Sequence, residues 1–170
     1  MIELFQLILA EATAKIATPY FQLPIAGEVE PIYRERVYSY ELYHQLRALM
    51  DEDERFAQYA LSGEIDKQGH PIIRRCAPDL VFHSPGTMDS NLVVIEVKAV
   101  NAALDGILKD FANLGYFVSR DVNYQLGIEL VYGDDESFAR FEKAFPSGDT
   151  NQKLQLFWHR CPGESAKRVR

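Results

Sequence analysis

The sequence predicts an α/β protein in which a mixed β-sheet is flanked by helices on both faces. Apolar residues recur at helical spacing over residues 36–51 and again over residues 104–120. Between these stretches lie three strand-like segments, at residues 61–67, 78–83 and 91–99, separated by turn residues. Adjacent strands followed by a helical crossover favour a mixed sheet covered by helices.

Further elements are predicted at both ends of the chain. An amphipathic helix is expected from the first residues to about Ala17, and a strand at residues 124–132 follows the second helical stretch. A stripe of phenylalanines predicts a helix around residues 138–145, and residues 154–159 are expected to form a final strand. The basic tail, residues 167–170, is predicted to be frayed and exposed. The predicted core order is α-β-β-β-α-β, with an N-terminal helix and a C-terminal helix–strand extension.

The composition narrows the class of protein. A chain of 170 residues is expected to form one domain spanning 1–170. Its hydrophobic content of 47% with 25% charged residues is typical of a globular protein. The net charge of −7 argues against a protein that coats nucleic acid by bulk electrostatic attraction. The net charge is compatible with an enzyme that binds phosphates through a bound metal and a local basic group.

The cysteines and the N-terminal segment predict a cytoplasmic protein with no membrane partner. Cys76 and Cys161 have no CxxC partner, which favours reduced thiols, although both are equally interpretable as small buried hydrophobic residues. The first residues are apolar but include Glu3 and lack a basic region. Neither a signal peptide nor a membrane-spanning helix is therefore expected.

Charged residues interrupt the two most apolar strand segments. Pro78-Asp79 opens one of them, and Glu96-Val97-Lys98 lies near the end of the next. Because side chains alternate along a strand, Glu96 and Lys98 are expected on one face and Val97 on the other. An acid and a base inside an apolar strand are costly unless they pair with or bind something. These residues are therefore a candidate site.

This pattern resembles the PD-(D/E)xK nuclease superfamily, with Asp79 followed by Glu96-x-Lys98. The resemblance implies a restriction-endonuclease-like fold, whose core of a helix, three strands, a crossover helix and a strand corresponds to residues 36–132. The family often carries another carboxylate on the helix before the strands, and Glu41 occupies that position. It further implies a nuclease that uses Mg²⁺, or Mn²⁺ in its place, acts on DNA and forms a homodimer.

Physical reasoning about the residues leads to the same chemistry. Hydrolysis of a phosphodiester requires neutralised phosphate charge, an activated water and a stabilised leaving oxygen. Mg²⁺ prefers oxygen ligands, which Asp79, Glu96, Glu41 and the Val97 carbonyl are predicted to supply. Lys98 is expected to orient the attacking water or stabilise negative charge. A role as general base is less favoured, since neighbouring carboxylates keep a lysine protonated.

Several alternatives remain open at this stage. Lys98 paired with Glu96 or Asp79 would be a structural ion pair without chemistry. A catalytically inactive nuclease-fold protein, acting as an interaction or nucleic-acid-binding module, agrees with the acidic balance and the lack of an obvious basic, aromatic-rich surface. Cleavage of RNA would use the same metal chemistry. Glu64 is interpretable either as a residue that reaches the site or as one that faces solvent.

Overall fold

A computed structural model of the chain describes residues 1–64, 77–86, 91–134, 136–147 and 152–170. The helices are α1 (Ile2–Ala14), α2 (Thr18–Phe21), α3 (Glu35–Asp51), α4 (Leu104–Phe117) and α5 (Ala139–Ala144). The strands are β1 (Ala60–Gly63), β2 (Leu80–His83), β3 (Asn91–Ala99), β4 (Leu126–Tyr132), β5 (Leu154–His159) and β6 (Lys167–Arg168). Among these described helices, none has the length and apolar character needed to cross a membrane.

The strands form one six-stranded mixed sheet in the order β1-β2-β3-β4-β5-β6. β1, β2 and β3 are antiparallel neighbours, β3, β4 and β5 run parallel, and β6 returns antiparallel to β5. Parallel neighbours need a crossover connection, and α4 and α5 lie in the two crossovers. The prediction of a mixed α/β sheet flanked by helices is confirmed.

The two faces of β3 pack against different helix layers. Val93 and Val97 belong to the core shared with α1 and α3, whereas Val94 belongs to the core beneath α4 and α5. Glu96 and Lys98 follow Val94 at intervals of two, so they project from the α4 face, as the alternation predicted. The charged residues of β3 therefore lie between the sheet and α4.

The strand register brings three carboxylates next to one another on that face. Leu80 is the partner of Ile95 across the antiparallel pair, and continuing this register by one residue sets Asp79 opposite Glu96. On the other side of β3, Glu96 is the partner of Glu129 on β4. Directly opposed residues share a face, with Cβ atoms about 5 Å apart. Glu96 is thus flanked by an acid on each side.

The C-terminal tail differs from the prediction, since it adds a strand instead of fraying. β6 pairs with β5, and the Val169 amide donates to the Leu156 carbonyl at 2.7 Å. Ala166 is buried, and its amide donates to the Thr13 hydroxyl of α1 at 2.8 Å. The side chains of Lys167 and Arg168 are nevertheless exposed, as predicted. The tail is held because its backbone completes the edge of the sheet.

Other boundaries shift by a few residues. α1 ends at Ala14 rather than near Ala17, and α4 ends at Phe117 rather than at residue 120. The first strand ends at Gly63; the rest of the segment predicted for it, from residue 65, lies outside the described residues, as does Cys76. These differences leave the order of elements unchanged.

The core fixes the rotation of α3 over the sheet through Tyr38. Its ring stacks on Tyr132 of β4 with centroids 4.0 Å apart, and its hydroxyl is 2.7 Å from Nδ1 of His159 on β5. All three side chains are fully buried. Residues three apart on a helix are neighbours, so Glu35 and Glu41 flank Tyr38, Glu35 toward the start of α3 and Glu41 toward its end.

Gly133→Ala is expected to lower the free energy of unfolding by about 2–4 kcal/mol. Gly133 follows β4 with φ +125°, a conformation that L side chains rarely adopt, and an added Cβ would lie 2.5 Å from Val100 Cγ1. Gly106→Ala is the matched control: apart from its chain neighbours and the backbone of α4, no heavy atom of the described residues lies within 4 Å of its added Cβ. The control should stabilise by about 0.5–1 kcal/mol. Urea denaturation measures both, and an unchanged midpoint for Gly133→Ala contradicts this view of the turn.

Candidate functional site

Asp79 lies immediately before β2 and binds the open edge of β3. Its Oδ2 accepts a hydrogen bond from the Val97 amide at 2.7 Å. The side chain is partly exposed. Within a strand the N–H and C=O of one residue point to the same edge, so the Val97 carbonyl also faces the side on which Asp79 lies. Asp79 is thus held against β3 beside Val97.

Glu96 is a buried carboxylate beside Asp79. Only 4% of the residue is exposed, and Asn113 of α4 donates a hydrogen bond to its Oε1 at 3.3 Å. Burial, followed by the charges of Asp79 and Asp110, raises the pKa of Glu96 to about 8. Burial likewise raises the pKa of Asp79 to about 6, against the opposing effects of the Val97 amide and Lys98. These two acids therefore retain protons far above their ordinary range.

Lys98 is held between two carboxylates. Its Nζ is 2.8 Å from Asp110 Oδ2 on α4 and 3.2 Å from Glu35 Oε2 on α3. Burial by itself would lower the pKa of Lys98, but the hydrogen bond and charge of Asp110, and then Glu35, raise it above its usual value. Lys98 is consequently a fixed cation at neutral pH, which argues against its use as a general base.

The α3 carboxylate that reaches Lys98 is Glu35. Besides its ion pair with Lys98, Glu35 Oε1 accepts a hydrogen bond from the Ala99 amide at 3.3 Å. Glu41, the carboxylate that the family resemblance indicated, instead accepts a hydrogen bond from Gln45 at 2.7 Å, one turn along the same helix. In the described part of the chain, no hydrogen bond or ion pair joins Glu41 to Asp79, Glu96 or Lys98. Glu35 and Glu41 are separated by six residues, or about 9 Å of helix, and it is the start of α3, where Glu35 lies, that meets Lys98 and Ala99.

Glu129 is an additional buried acid that the sequence reasoning missed. It is fully buried, and neither carboxyl oxygen has a hydrogen-bond partner among the residues that the structure describes. Burial, then the charges of Asp110 and Glu96, raises its pKa well above the usual value. Because an unpaired buried carboxylate is so costly, Glu129 is neutral under ordinary conditions.

Signals for the missed residues were present in the sequence. Asp110 lies three residues after buried Ile107 and four before buried Leu114, so it interrupts the apolar stripe of α4. Glu129 interrupts an apolar strand in the way that Glu96 does. Glu35 had no comparable signal, since an acid in the first turn of a helix is ordinarily explained by the helix dipole.

The oxygen atoms of the candidate site can be compared with the ligands that Mg²⁺, the metal implied by the resemblance, requires. Among the described residues, no group of three or more His, Cys, Asp or Glu side chains converges closely enough to hold a metal ion. Mg²⁺ requires fewer protein ligands, since it commonly uses one or two carboxylates and keeps several waters. Asp79 and Glu96, together with the Val97 carbonyl, fit this smaller set in chemistry. The raised pKa values of both acids also indicate negative charge that lacks full compensation.

Comparison with known proteins does not assign the chain to a family. No family model matches the sequence, and a search of curated proteins finds no match. The resemblance to PD-(D/E)xK nucleases therefore stays a prediction. The functional argument depends on the positions of Asp79, Glu96, Lys98 and their neighbours.

The free energy of unfolding is expected to fall as the pH rises from about 4 to about 8. The folded-state pKa values of Asp79 and Glu96, about 6 and about 8, exceed the ordinary values of 3.8 and 4.5. A carboxyl group with a raised folded pKa stabilises the fold fully below its unfolded pKa and loses that contribution as pH rises through the folded pKa. Glu96→Gln cannot ionise, so it should raise the free energy of unfolding at pH 9 by roughly 2 kcal/mol.

Urea denaturation at several pH values tests this expectation. Glu41→Gln is a suitable control, because Glu41 lies on α3 and contacts Gln45 rather than the acidic residues of the sheet. It should keep the pH dependence of the parent. If the free energy of unfolding of the parent protein does not change between pH 5 and pH 9, the pKa values of Asp79 and Glu96 are not raised in the folded state.

Proposed function

We propose that the protein is a metal-dependent nuclease of the restriction-endonuclease-like fold that hydrolyses DNA phosphodiester bonds. The observation that carries the proposal is the placement of Asp79 and Glu96 as cross-strand neighbours, with the permanently charged Lys98 two residues along β3. The order of α3, β1, β2, β3, α4 and β4 agrees with the core expected from the superfamily. This combination supports phosphodiester hydrolysis better than an isolated ion pair would.

Asp79, Glu96 and the Val97 carbonyl are the groups that would hold Mg²⁺ or Mn²⁺. When bound, the ion would neutralise phosphate charge and lower the pKa of a water ligand. Binding of a dication would also favour the ionised forms of Asp79 and Glu96, whose raised pKa values otherwise keep them protonated. Metal binding is therefore expected to release protons from the protein.

Lys98 would act as an electrostatic group. Its ammonium is immobilised by Asp110 and Glu35 at 2.8 and 3.2 Å, so its position costs no reorganisation during reaction. Because it remains protonated, it stabilises negative charge on the phosphate or orients water by donating a hydrogen bond. Glu35 and Asp110 are positioning residues in this scheme, since they act through Lys98.

A catalytically inactive nuclease-fold module is the second candidate. Lys98 is 16% exposed in its side chain and is already paired with two carboxylates, which resembles a structural ion-pair network. Such a protein would bind nucleic acid or another protein without cutting. Action on RNA, a homodimer and a cytoplasmic location stay predictions that accompany both candidates.

Cleavage of supercoiled, branched and single-stranded DNA in the presence of Mg²⁺ or Mn²⁺ tests the proposal. The parent protein should cut at least one substrate, and Asp79→Ala should abolish cutting. Lys98→Ala should reduce the rate by about 10²–10³, because one well-placed electrostatic group is lost. Its metal affinity, measured by calorimetry, should persist because both carboxylates remain.

Two results would contradict this assignment. If the parent cuts none of the substrates and binds neither metal, the inactive module is favoured. If Lys98→Ala cuts as fast as the parent, Lys98 has no catalytic role. Thermal melts must accompany each measurement, since Lys98→Ala also leaves Asp110 without its buried partner, which is itself destabilising.

A pair of variants on α3 tests which helix carboxylate serves the site. Glu35→Ala should lower the cleavage rate by at least about 10-fold, because Lys98 loses one of the two groups that position it. Glu41→Ala should change the rate less than about 3-fold, because Glu41 contacts Gln45 instead. Rates on one common DNA substrate measure both. The opposite ranking would contradict the assignment of Glu35 as the α3 carboxylate that serves the site.

A further inference from the structure

An open cleft of about 380 Å³ lies between α3 and the adjoining ends of β1 and β2. Its size is within the range of small-ligand sites. One of its lining residues, Asp79, also belongs to the candidate active site. The described residues that line the cleft include Ser39, Tyr40, Tyr43, Gly63, Glu64 and Asp79.

The α3 wall of the cleft is aromatic. Tyr40 and Tyr43 are three residues apart on α3, so both project toward the same side of the helix. Tyr40 is 58% exposed, so much of its ring is open to solvent. Nucleic-acid-binding proteins use such exposed rings as platforms on which bases stack.

The opposite wall offers polar groups. Glu64 has φ 43°, a left-handed conformation that is uncommon for a non-glycine residue, and its amide donates to the Asp79 carbonyl at 3.1 Å. Its carboxylate is about half exposed and lies 3.1 Å from the guanidinium of Arg36. A carboxylate accepts hydrogen bonds from base amino groups, and an exposed guanidinium suits a phosphate. Glu64 thus lines a cleft beside the site while remaining in contact with solvent.

We propose that this cleft binds the base and sugar of one unpaired nucleotide adjacent to the phosphate that reacts. The substrate would then be a single strand or an unpaired end. This inference rests on the proposed nuclease activity and specifies its substrate. Tyr40 stacks on the base, and Glu64 accepts a hydrogen bond from it. Asp79 lines the cleft and also belongs to the candidate active site, so the reacting phosphate lies next to the bound nucleotide.

Two physical arguments favour an unpaired nucleotide over a duplex. A base inside a duplex reaches a side cleft only if it leaves its stack, which costs unstacking and unpairing energy that a single strand does not require. The net charge of −7 also removes the general electrostatic attraction on which duplex binding depends. Stacking on a tyrosine supplies affinity that does not require a basic surface.

Fluorescence anisotropy of the full chain in EDTA tests the proposal without cleavage. The probes are a labelled single-stranded DNA of twelve nucleotides, its blunt duplex and the same strand as RNA. The parent should bind a single strand more tightly than the duplex, and the DNA and RNA strands show which sugar is preferred. Tyr40→Ala should weaken single-strand binding by about 5- to 150-fold, the effect expected for one lost base stack.

Matched variants separate loss of the cleft from loss of the fold. Tyr40→Phe keeps the ring and should bind like the parent, and Tyr20→Ala removes another exposed ring, away from the cleft, and should have no effect. Gly63→Val should fill the cleft and weaken binding. Gly63→Ala should not, because its added Cβ meets only ordinary contacts, at 3.5 Å from Asp79 O and Leu80 Cδ2. Thermal melts verify that each variant is folded.

The outcomes distinguish this inference from the nuclease proposal. Equal affinity for duplex and single strand, or parent-like binding by both Tyr40→Ala and Gly63→Val, overturns the nucleotide cleft even if the parent cleaves DNA with Mg²⁺. Conversely, Tyr40-dependent binding of single strands by a protein that cleaves nothing overturns the nuclease and supports the cleft. Cleavage in which Tyr40→Ala raises KM and leaves kcat nearly unchanged supports both.

Discussion

The open edge of β3 is the constraint on which the candidate site depends. β3 has nine residues, whereas β2 has four, so the amides of Val97 and Ala99 extend past the end of their neighbour. Backbone amides withdrawn from water need an acceptor. Asp79 and Glu35 supply carboxylate oxygens at 2.7 and 3.3 Å. The same two side chains then border Glu96 and Lys98, so completing the strand edge also assembles the charged site.

The candidate site holds more buried acids than cations, which is unfavourable for folding and indicates a functional role. Glu96 and Glu129 face each other across two parallel strands, with Asp110 nearby and Lys98 as a neighbouring cation. Burial and mutual repulsion raise the pKa of each acid, so part of the cluster is neutral near pH 7. Apolar residues of similar size would be at least as stable in such a position. Clusters of this kind concentrate at functional sites, where a substrate or ion supplies the missing compensation.

The comparison of Glu41 with Glu35 shows where sequence reasoning reaches its limit. Helical periodicity placed α3 almost to the residue, because its apolar face repeats at a local spacing. Which carboxylate meets β3 depends on how the helix is rotated over the sheet and on which part of its length crosses β3. That rotation is set by the contacts of Tyr38 with Tyr132 and His159, about 94 and 121 positions away in the chain. A spacing rule within α3 contains no information on those contacts.

By itself, the sequence determined the order of the longer helices and of the first five strands, and the shared face of Glu96 and Lys98, because both follow from short-range periodicity. Tertiary structure alone decided that Asp79 stands opposite Glu96, that Glu129 stands on its other side, and that residues 167–170 complete the sheet. The segment between β2 and β3 is too long for turn geometry to define their register. Parallel pairing of β3 with β4 joins residues separated by a whole helix. Such long-range registers depend on the packing of the entire core, which no local pattern records.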